Sequence, residues 1–511
     1  RWKVLAAINE NAAAAMPLVN LRGFEEPGSI AHVVCKYKAL LVPQTKLALF
    51  DSSVSISVAG RDPPEIALNR GTSPAESRKR ERTLVWQMMQ AVEQKRYCLT
   101  HVGGPGESRQ AWIARFQGEG GMDYGGLYRD SLREMSAELQ CQGGSLQLLL
   151  PCPNQRMATG SCQDRWLPNP SATSSVHLRL FRFVGMLLGA SVRTDACIEL
   201  DLPAMVWKQL VGEDSLREDV AAVDEAWSKD MQNCLGAETK ADFEAKGRTW
   251  TVKSFTGGVE DLVPGGSGKR VRWEEREAFV EAQVQFRTTE CRRQVNAIQE
   301  GFTSVIPSVI LPLLTWRELE RKACGTAVID VEELEKNTEY QSGLSKDHPL
   351  IVKFWKVVKT FSQADLAALL AFVWGRKRMP VPNSGDHLKI DYLSSRGDNY
   401  LPQAHTCFFA VDLPDYSSES VLKEKLLYAI YGCAAIDNDV GNPNGTLYES
   451  DEESEAEEAA VESLGVIPGS EVKPEREESE SWLVIPLDHG DGEVEVKPTA
   501  PRQGGGGGGG R

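Results

Sequence analysis

The C-terminal segment from position 441 onwards limits the fold more than any other feature of the sequence. It contains 17 acidic and 5 basic residues, and residues 504–510 are all glycine. Within it, residues 449–462 carry eight acidic side chains and no basic one. A segment so charged and so poor in large apolar side chains cannot bury enough surface to fold. We therefore expect residues 441–511 to be a disordered acidic tail, and the folded part to end near Val440.

The rest of the chain is nearly neutral. The whole chain of 511 residues has a net charge of −15, of which the tail accounts for −12. Nucleic-acid binding depends on clustered lysine and arginine, and the one basic run, residues 78–82, is better explained as the solvated start of a helix. The apolar runs at residues 305–314 and 366–374 are shorter than the roughly 18 residues that a membrane helix needs. The sequence therefore predicts neither a nucleic-acid partner nor a membrane span.

Eleven cysteines and seven histidines are scattered along the chain. The cysteines form no C-x-x-C pair and their number is odd, which is typical of a reduced intracellular protein. The histidines have no spacing that suits a zinc site, so no metal is expected. We expect a cytoplasmic location, with the nucleus as an alternative. Because the first residue is Arg1 rather than Met, we also expect the chain to be the C-terminal part of a longer protein.

Residues 1–80 are expected to be a separate N-terminal segment with no recognisable motif. Runs rich in apolar and β-branched residues at positions 32–41 and 54–58 favour strands. Loop-forming residues at positions 69–77 then place a domain boundary near residue 80.

Helical periodicity dominates the part of the chain that follows. Apolar residues at 3.6-residue spacing predict one helix from about residue 274 to residue 300. The pattern relaxes at residues 339–343, which predicts a hinge, with Gly343 in it, between two parts of the fold. Further helices are expected to begin near Pro349 and at the capping box of residues 362–365, with the second ending at Gly375.

Cys407 is the one candidate nucleophile that local context picks out. It follows a loop that contains Pro402, and it enters an expected strand over residues 406–413 that ends at Pro414. Such a position exposes a side chain on a rigid support. Free cysteines, however, are more often buried as small apolar residues than used as nucleophiles. From the residues alone, the chain is therefore an α+β protein with one cysteine that is either reactive or simply packed.

Residues 401–413 (LPQAHTCFFAVDL) resemble the active-site strand of HECT-domain ubiquitin ligases, and the PDYSS and LKEKLLYAI that follow resemble its closing helix. The resemblance continues upstream in the order of the family and covers roughly residues 82–440. Residues 169–173 (NPSAT) and 407–409 (CFF), where most members of the wider family have Cys-Phe-Asn, most resemble the large HERC type. The upstream segments are residues 118–135 (GEGGMDYGGLYRDSLREM), 181–194 (FRFVGMLLGASVRT), 200–212 (LDLPAMVWKQLVG), 292–307 (RRQVNAIQEGFTSVIP), 319–325 (LERKACG) and 372–380 (FVWGRKRMP).

The resemblance implies a bilobal HECT domain. Its mainly helical N-lobe would occupy residues 81–340, and its small α/β C-lobe residues 341–440. Cys407 would be the nucleophile that accepts ubiquitin from an E2 enzyme as a glycyl thioester and passes it to a substrate lysine. His405 and Thr406 match family positions beside the nucleophile and would orient the thioester or stabilise charge. This chemistry needs no ATP, metal or organic cofactor.

The resemblance also implies where the ubiquitin-charged E2 would dock. Residues 213–268 occupy the place of the small N-lobe subdomain that binds the E2, and its large apolar residues are Trp227, Met231, Leu235 and Trp250. These four side chains would either contact the E2 or form the core of the subdomain. Both interpretations stay open at this stage.

The sequence departs from the family pattern in two further places. Residues 272–277 (RWEERE) replace a common Thr-x-x-Asn-Lys-x-Glu pattern at the start of an N-lobe helix. Many members end within a few residues of the C-lobe and use a phenylalanine near that end in catalysis. Here the acidic tail stands in that place, and no such phenylalanine can be identified. Within the tail, Trp482 and Ile485 form an acidic, aromatic-x-x-aliphatic pattern of the kind that docks to autophagy receptors.

Two other functions remain as alternatives to a ubiquitin transferase. One is a catalytically silent scaffold that binds E2 or ubiquitin. The other is a cysteine hydrolase, which is disfavoured because a strand would hold His405 and Cys407 side by side, with little freedom for the histidine to act as a base.

Overall fold

The computed structural model describes residues 2–57, 62–70, 79–101, 109–118, 123, 126–326, 328–380, 386–393 and 396–436. The described residues from Trp2 to Ile436 belong to one compact unit. The expected disorder of the tail and the docking pattern at Trp482 and Ile485 lie outside the described residues.

Helices predominate in the first two thirds of the described chain, and most of the longer strands lie near its end. The helices are α1 (Trp2–Ala15), α2 (Ile30–Lys36), α3 (Pro43–Ile56), α4 (Leu84–Lys95), α5 (Gly126–Leu139), α6 (Pro153–Met157), α7 (Ser175–Thr194), α8 (Ala204–Leu210), α9 (Arg217–Val223), α10 (Glu225–Leu235), α11 (Lys240–Ala245), α12 (Arg276–Thr289), α13 (Arg292–Val305), α14 (Trp316–Cys324), α15 (Val331–Lys336), α16 (Pro349–Val358), α17 (Gln363–Trp374) and α18 (Glu419–Ile436). The strands are β1 (Glu65–Leu68), β2 (Ile113–Phe116), β3 (Leu149–Pro151), β4 (Trp166–Pro168), β5 (Thr251–Lys253), β6 (Val259–Asp261), β7 (Glu339–Tyr340), β8 (Lys389–Leu393), β9 (Gln403–His405) and β10 (Ala410–Pro414).

The buried apolar side chains form three separate clusters. The large core runs from Met16 to Cys324 along the sequence. The small core joins residues of α9, α10 and α11 to Phe279 and Val280 of α12. The C-terminal core runs from Ile329 to Ile430.

Helix α7 lies at the centre of the large core and packs along α13. Two glycines allow this close contact, because a methyl group at Gly185 would overlap the carbonyl oxygen of Ile298, and one at Gly301 would overlap that of Arg182. By length and composition α7 is apolar enough to cross a membrane, but 61% of its most apolar window is buried inside the protein. Its apolar character therefore belongs to a buried core helix.

The N-terminal region is helical, so the strands expected at residues 32–41 and 54–58 were wrong. Ser29 caps α2 by accepting a hydrogen bond from the backbone N–H of His32, and Pro43 starts α3 at its first turn. These start signals and tertiary packing outweigh the weak strand preference of the β-branched residues.

This region also shares the large core, which corrects the boundary expected near residue 80. Phe50 and Val54 are buried in that core, and β1 pairs in parallel with β2 across the expected boundary. Lys46 is fully buried and forms an ion pair of 2.7 Å with Glu318 of α14. The first 57 residues are therefore built into the same compact unit.

The single helix expected from residue 274 to residue 300 is in fact two helices, α12 and α13. Val280 of α12 packs into the small core, whereas Val295 and Ile298 of α13 pack into the large core. Between them, Glu290 turns away and accepts hydrogen bonds from the Ser254 hydroxyl and the Phe255 N–H. The apolar spacing in the sequence continues across the break because the residues before it pack into the small core and those after it pack into the large core.

The C-terminal core packs α16, α17 and α18 against a four-stranded sheet of order β7-β8-β10-β9. β8 is parallel to both β7 and β10, and β9 is antiparallel to β10. The helix starts predicted at Pro349 and Ser362 are confirmed, and Gly375 ends α17 with φ +72°. Local capping signals therefore located these helices correctly.

The same core corrects the position of the expected hinge. Ile329 and Leu334 already belong to the C-terminal core, and β7 pairs with β8 before Gly343 is reached. Gly343 has φ +80° and lies in a turn closed by the Leu344 N–H and the Gln341 carbonyl. The change from the large core to the C-terminal core falls between Cys324 and Ile329, not at residues 340–343.

Candidate active site

Cys407 lies at the tip of a β-hairpin. Strands β9 and β10 pair so that His405 faces Ala410, and the four residues between them form the connection. Thr406–Phe408 make one turn of 3-10 helix, and Phe409 leads into β10. The strand expected over residues 406–413 therefore begins only at Ala410, and residues 406 and 407 lie in the turn.

Phe409 closes this turn in a left-handed conformation, with φ 52° and ψ 53°. A residue with a β-carbon pays roughly 1–2 kcal/mol for this conformation, and asparagine tolerates it best. The side chain of Phe409 is only 3% exposed and stacks on Trp374, with ring centroids 4.6 Å apart. Burial and stacking offset the strain, which explains how phenylalanine occupies this position.

His405 is tied to an acidic partner that sequence reasoning missed. Its Nε2 atom lies 2.9 Å from Oδ2 of Asp412. The pairing register places Gln403 opposite Asp412, so His405 and Asp412 are diagonal neighbours on one face of the sheet. Both side chains reach solvent, with 48% of His405 and 20% of Asp412 exposed. This pair positions an imidazole beside the turn that carries Cys407.

The turn also weakens the argument made from sequence against a hydrolase. A hydrolase was disfavoured because a strand would fix His405 beside Cys407. In the structure, His405 ends strand β9, whereas Cys407 lies in the turn that follows. The local geometry therefore does not separate a transferase from a hydrolase.

The surface around the turn is open and partly apolar. Thr406 is exposed, and 70% of the Phe408 side chain is exposed. Tyr400 and Leu401, just before β9, are also exposed apolar residues. Among the described residues, no group of histidine, cysteine and carboxylate side chains is arranged to hold a metal ion.

The other described cysteines are mostly poor nucleophiles because they are buried. Burial raises the pKa of Cys324 to about 12, and it raises the pKa of Cys291 still further. Cys152, Cys197 and Cys234 are also buried. Among the cysteines whose side chains the structure describes, Cys98 and Cys141 are exposed.

The four residues considered for E2 contact surround the small core. Trp227 and Met231 belong to that core, and Leu235 and Trp250 pack against it partly buried. Their burial favours the core interpretation.

The E2-contact interpretation stays open, however, because three of the four residues also border clefts. Trp227 and Met231 line a cleft of about 620 Å³ together with Phe279. Leu235 lines another of about 640 Å³ with Val280.

One loop of the C-terminal core fastens to the large core. Arg378 forms ion pairs with Asp201 and Glu320, and the backbone N–H of Lys377 donates to Glu199 at 2.7 Å. Arg376 is also buried, with 4% exposed. Residues 376–378 are therefore a contact between cores.

The sequence pattern that defines the HECT-domain (ubiquitin-transferase) family matches residues 147–438, which include the hairpin, the small core, the C-terminal core and part of the large core. E3 ubiquitin-protein ligase HERC2 of Mus musculus is 35% identical over 336 residues, which cover 65% of this chain and 7% of that protein. Probable E3 ubiquitin-protein ligase HECTD4 of Homo sapiens is 27% identical over 480 residues, or 84% of this chain and 12% of that protein.

A shorter relative agrees with these two. E3 ubiquitin-protein ligase RSP5 of Chaetomium thermophilum is 30% identical over 333 residues, which cover 62% of this chain and 39% of that protein. The chain thus spans less than half the length of each of these relatives. Since the family pattern covers more than half of the chain, the chain belongs to the HECT-domain family of ubiquitin transferases.

Proposed function

We propose that this chain carries the catalytic part of an E3 ubiquitin transferase that forms a thioester between Cys407 and ubiquitin. The observation that carries the proposal is the place of Cys407 at a hairpin tip within the matched region, between exposed Thr406 and exposed Phe408. The similarity to E3 ubiquitin-protein ligases HERC2 and RSP5 supports the same activity.

The reaction would proceed in two acyl transfers. In the first, the Cys407 thiolate attacks the thioester carbonyl carbon at the C-terminus of ubiquitin, and the E2 thiolate leaves. In the second, a substrate lysine amine attacks the new carbonyl, loses a proton and releases the Cys407 thiolate. Thiolate is the reacting form of cysteine, and no redox or energy source is required.

His405 has a defined task in this scheme. Its imidazole, held at Nε2 by Asp412, orients the thioester and offers a site for the proton that the lysine loses. Asp412 acts through His405 by fixing its ring.

We further propose that the cores correspond to two lobes. The large and small cores would form the N-lobe, and the C-terminal core would form the C-lobe, with the linker near residues 325–328. A ubiquitin-charged E2 would bind at the clefts bordered by Trp227, Met231 and Leu235. The exposed aromatic and aliphatic residues around Phe408 would face ubiquitin.

A thioester assay with ubiquitin-charged E2, run with and without reductant, tests the proposal. A ubiquitin adduct on the chain that disappears with reductant is expected. Absence of any adduct would support the silent scaffold instead. Release of free ubiquitin without an adduct or a modified lysine would support a hydrolase.

A further inference from the structure

The turn that carries Cys407 packs on the protein interior through an aromatic stack of Phe409 on Trp374. Phe409 and Trp374 are both buried, and their rings lie 4.6 Å apart with an angle of 15° between their planes. Phe409 adopts the left-handed conformation that side chains other than asparagine or aspartate disfavour. The turn therefore depends on a contact that offsets this strain, and the stack on Trp374 is that contact.

Trp374 has no hydrogen-bonding role in this position. Its indole N–H is buried, and it has no hydrogen-bond partner among the described residues. A buried tryptophan usually satisfies its N–H, so this residue is not explained by polar contacts. It is the last residue of α17, directly before Gly375 ends the helix. What it offers there is the flat face of its ring.

The same ring is in contact with the loop between the cores. The guanidinium carbon of Arg376 lies 4.7 Å from the centroid of the Trp374 ring. Arg376 is 96% buried, and its Nη1 and Nη2 atoms have no hydrogen-bond partner among the described residues. A buried cation is costly unless favourable contacts offset its desolvation, and Arg376 combines the nearby charges of Asp386 and Glu199 with its position over the indole.

The residues that follow Arg376 in its loop attach that loop to the large core. Lys377 donates its N–H to Glu199, and Arg378 pairs with Asp201 and Glu320. Met379 pairs with Thr326 in an antiparallel bridge. A continuous set of contacts therefore runs from the large core through Arg376 and Trp374 to Phe409 and the catalytic turn.

We propose that Trp374 is a positioning residue for Cys407. It holds the turn through Phe409, and it ties the turn through Arg376 to the loop between the cores. The inference rests on the proposed thioester function of Cys407. Acyl transfer requires the thiolate and the carbonyl carbon to meet in a narrow range of distance and angle, so a loosened turn slows transfer from the E2. A small reagent has no such requirement and reacts faster with a loosened turn.

The principal test compares Trp374→Leu with the same substitution at another buried tryptophan of the C-terminal core. Trp355→Leu is the control, because Trp355 is also buried in the C-terminal core, but its contacts are with Phe354 and Tyr340. Trp374→Phe keeps an aromatic face and serves as the conservative rescue. If Trp374→Leu does not fold, Trp374→Met takes its place, and thermal melting checks each variant.

Two rates are measured on the full chain. One is single-turnover transfer of ubiquitin from charged E2 to Cys407, and the other is alkylation of Cys407 by iodoacetamide, followed by peptide mass spectrometry. Trp374→Leu is expected to slow transfer at least tenfold and to speed alkylation at least threefold. Trp374→Phe should recover most of the transfer rate. Trp355→Leu should leave both rates within about threefold of the parent protein.

The coupling to Phe409 is tested in a double-variant cycle. The fold loss of transfer rate caused by Trp374→Leu is expected to be at least fivefold smaller in a Phe409→Asn variant than in the parent protein. The reason is that asparagine tolerates the left-handed conformation without a supporting ring. Arg376→Met, which keeps the alkyl stem but removes the charge, is expected to slow transfer about threefold.

Each alternative outcome overturns a stated part of this inference. Equal effects of Trp374→Leu and Trp355→Leu would show that Trp374 is only a core residue, and additive effects with Phe409→Asn would exclude the stack. An unchanged transfer rate in Arg376→Met would show that Arg376 does not couple the turn to the large core. If the parent protein forms no adduct, the proposed function fails, whereas the alkylation rates still decide whether Trp374 positions the turn.

Discussion

Among the cysteines, the structure favours Cys407 by its surroundings and disfavours most others by their burial. Cys407→Ala is expected to abolish the reductant-sensitive ubiquitin adduct while E2 binding persists, because alanine has no thiolate. Cys141→Ala, at an exposed cysteine, is the matched control and should leave the adduct intact. An undiminished adduct in Cys407→Ala that maps to Cys98 or Cys141 would contradict the assignment. Cys324 is no substitute, because burial raises its pKa to about 12.

Asp412 gives a second prediction at this scale. Asp412→Asn keeps the size of the side chain but removes the charge that holds the His405 ring, so it should slow discharge to lysine roughly tenfold. Formation of the Cys407 adduct should change much less. A chase of the preformed adduct with free lysine measures the second step alone, and Asp391→Asn on the neighbouring strand is the control. Equal discharge rates in both variants would exclude the role of the pair.

The buried carboxyl group of Glu138 is expected to make the unfolding free energy depend on pH. Burial raises its pKa to about 7, although it accepts hydrogen bonds from the N–H groups of Leu84 and Val85. The folded state therefore holds this proton more tightly than the unfolded state, and the resulting stability is present below about pH 4.5 and lost as pH rises through 7.

The corresponding experiment replaces the carboxyl with an amide. Relative to the parent protein, Glu138→Gln should gain about 1–3 kcal/mol in unfolding free energy between pH 5 and pH 8. Denaturant titrations at the two pH values measure the difference. Glu277→Gln, at a side chain that is 80% exposed, should show no such change. A Glu138→Gln difference that does not depend on pH would show that this carboxyl does not titrate in that range.

At the residue scale, local context indicated Cys407, whereas His405 and Thr406 were indicated only by the resemblance to the family. Neither revealed Asp412 or Trp374. Their relation to Cys407 depends on the register of β9 on β10 and on the packing of α17, neither of which appears in local spacing.

At the scale of elements, the crossing of α7 and α13 is the most sensitive contact. Gly301→Ala would place a methyl group on the carbonyl oxygen of Arg182, so it should reduce the unfolding free energy by roughly 3 kcal/mol. Gly268→Ala is the control, since no heavy atom lies within 4 Å of its added β-carbon, and it should change stability by less than about 0.5 kcal/mol. Chemical unfolding of both variants decides the point, and equal stabilities would show that the helices can separate at little cost.

Elements with strong capping signals were predictable, and those defined by tertiary packing were not. The helices at Pro349 and Ser362 begin where proline and a capping box place them. The break between α12 and α13 was invisible, because apolar spacing does not show which core a residue enters. The N-terminal strands were wrong for the same reason, since a β-branched run is compatible with a helix once a cap and a core favour it.

For the whole molecule, the first 57 residues are part of the same compact unit as the hairpin that carries Cys407. Arg193 is buried and donates hydrogen bonds to the Val54 carbonyl and to the hydroxyl and carbonyl of Ser57. A chain shortened to begin at Lys79 would lose these acceptors and leave Lys46's partner Glu318 alone, which costs several kcal/mol. We expect this shorter chain to aggregate or to melt at least 10 °C lower than the full chain.

Thermal melting and size-exclusion chromatography measure this effect. A chain that begins at Trp2 is the matched control and should behave as the parent protein. A stable, monomeric chain beginning at Lys79 would restore the boundary near residue 80. The domain organisation could not be found from sequence, because a loop-rich composition at residues 69–77 does not show that Phe50 and Val54 enter the large core.

The ion pair between Lys46 and Glu318 joins residues 272 positions apart. At the usual 5–20 residues per second, the ribosome adds the second partner roughly 15–55 s after the first. During that interval Phe50 and Val54 of α3 have no finished core to enter, so nascent chains would expose them to chaperones or to one another. The hairpin with Cys407 is translated later still, so a chain whose N-terminal helices are already made still lacks the cysteine that we propose accepts ubiquitin.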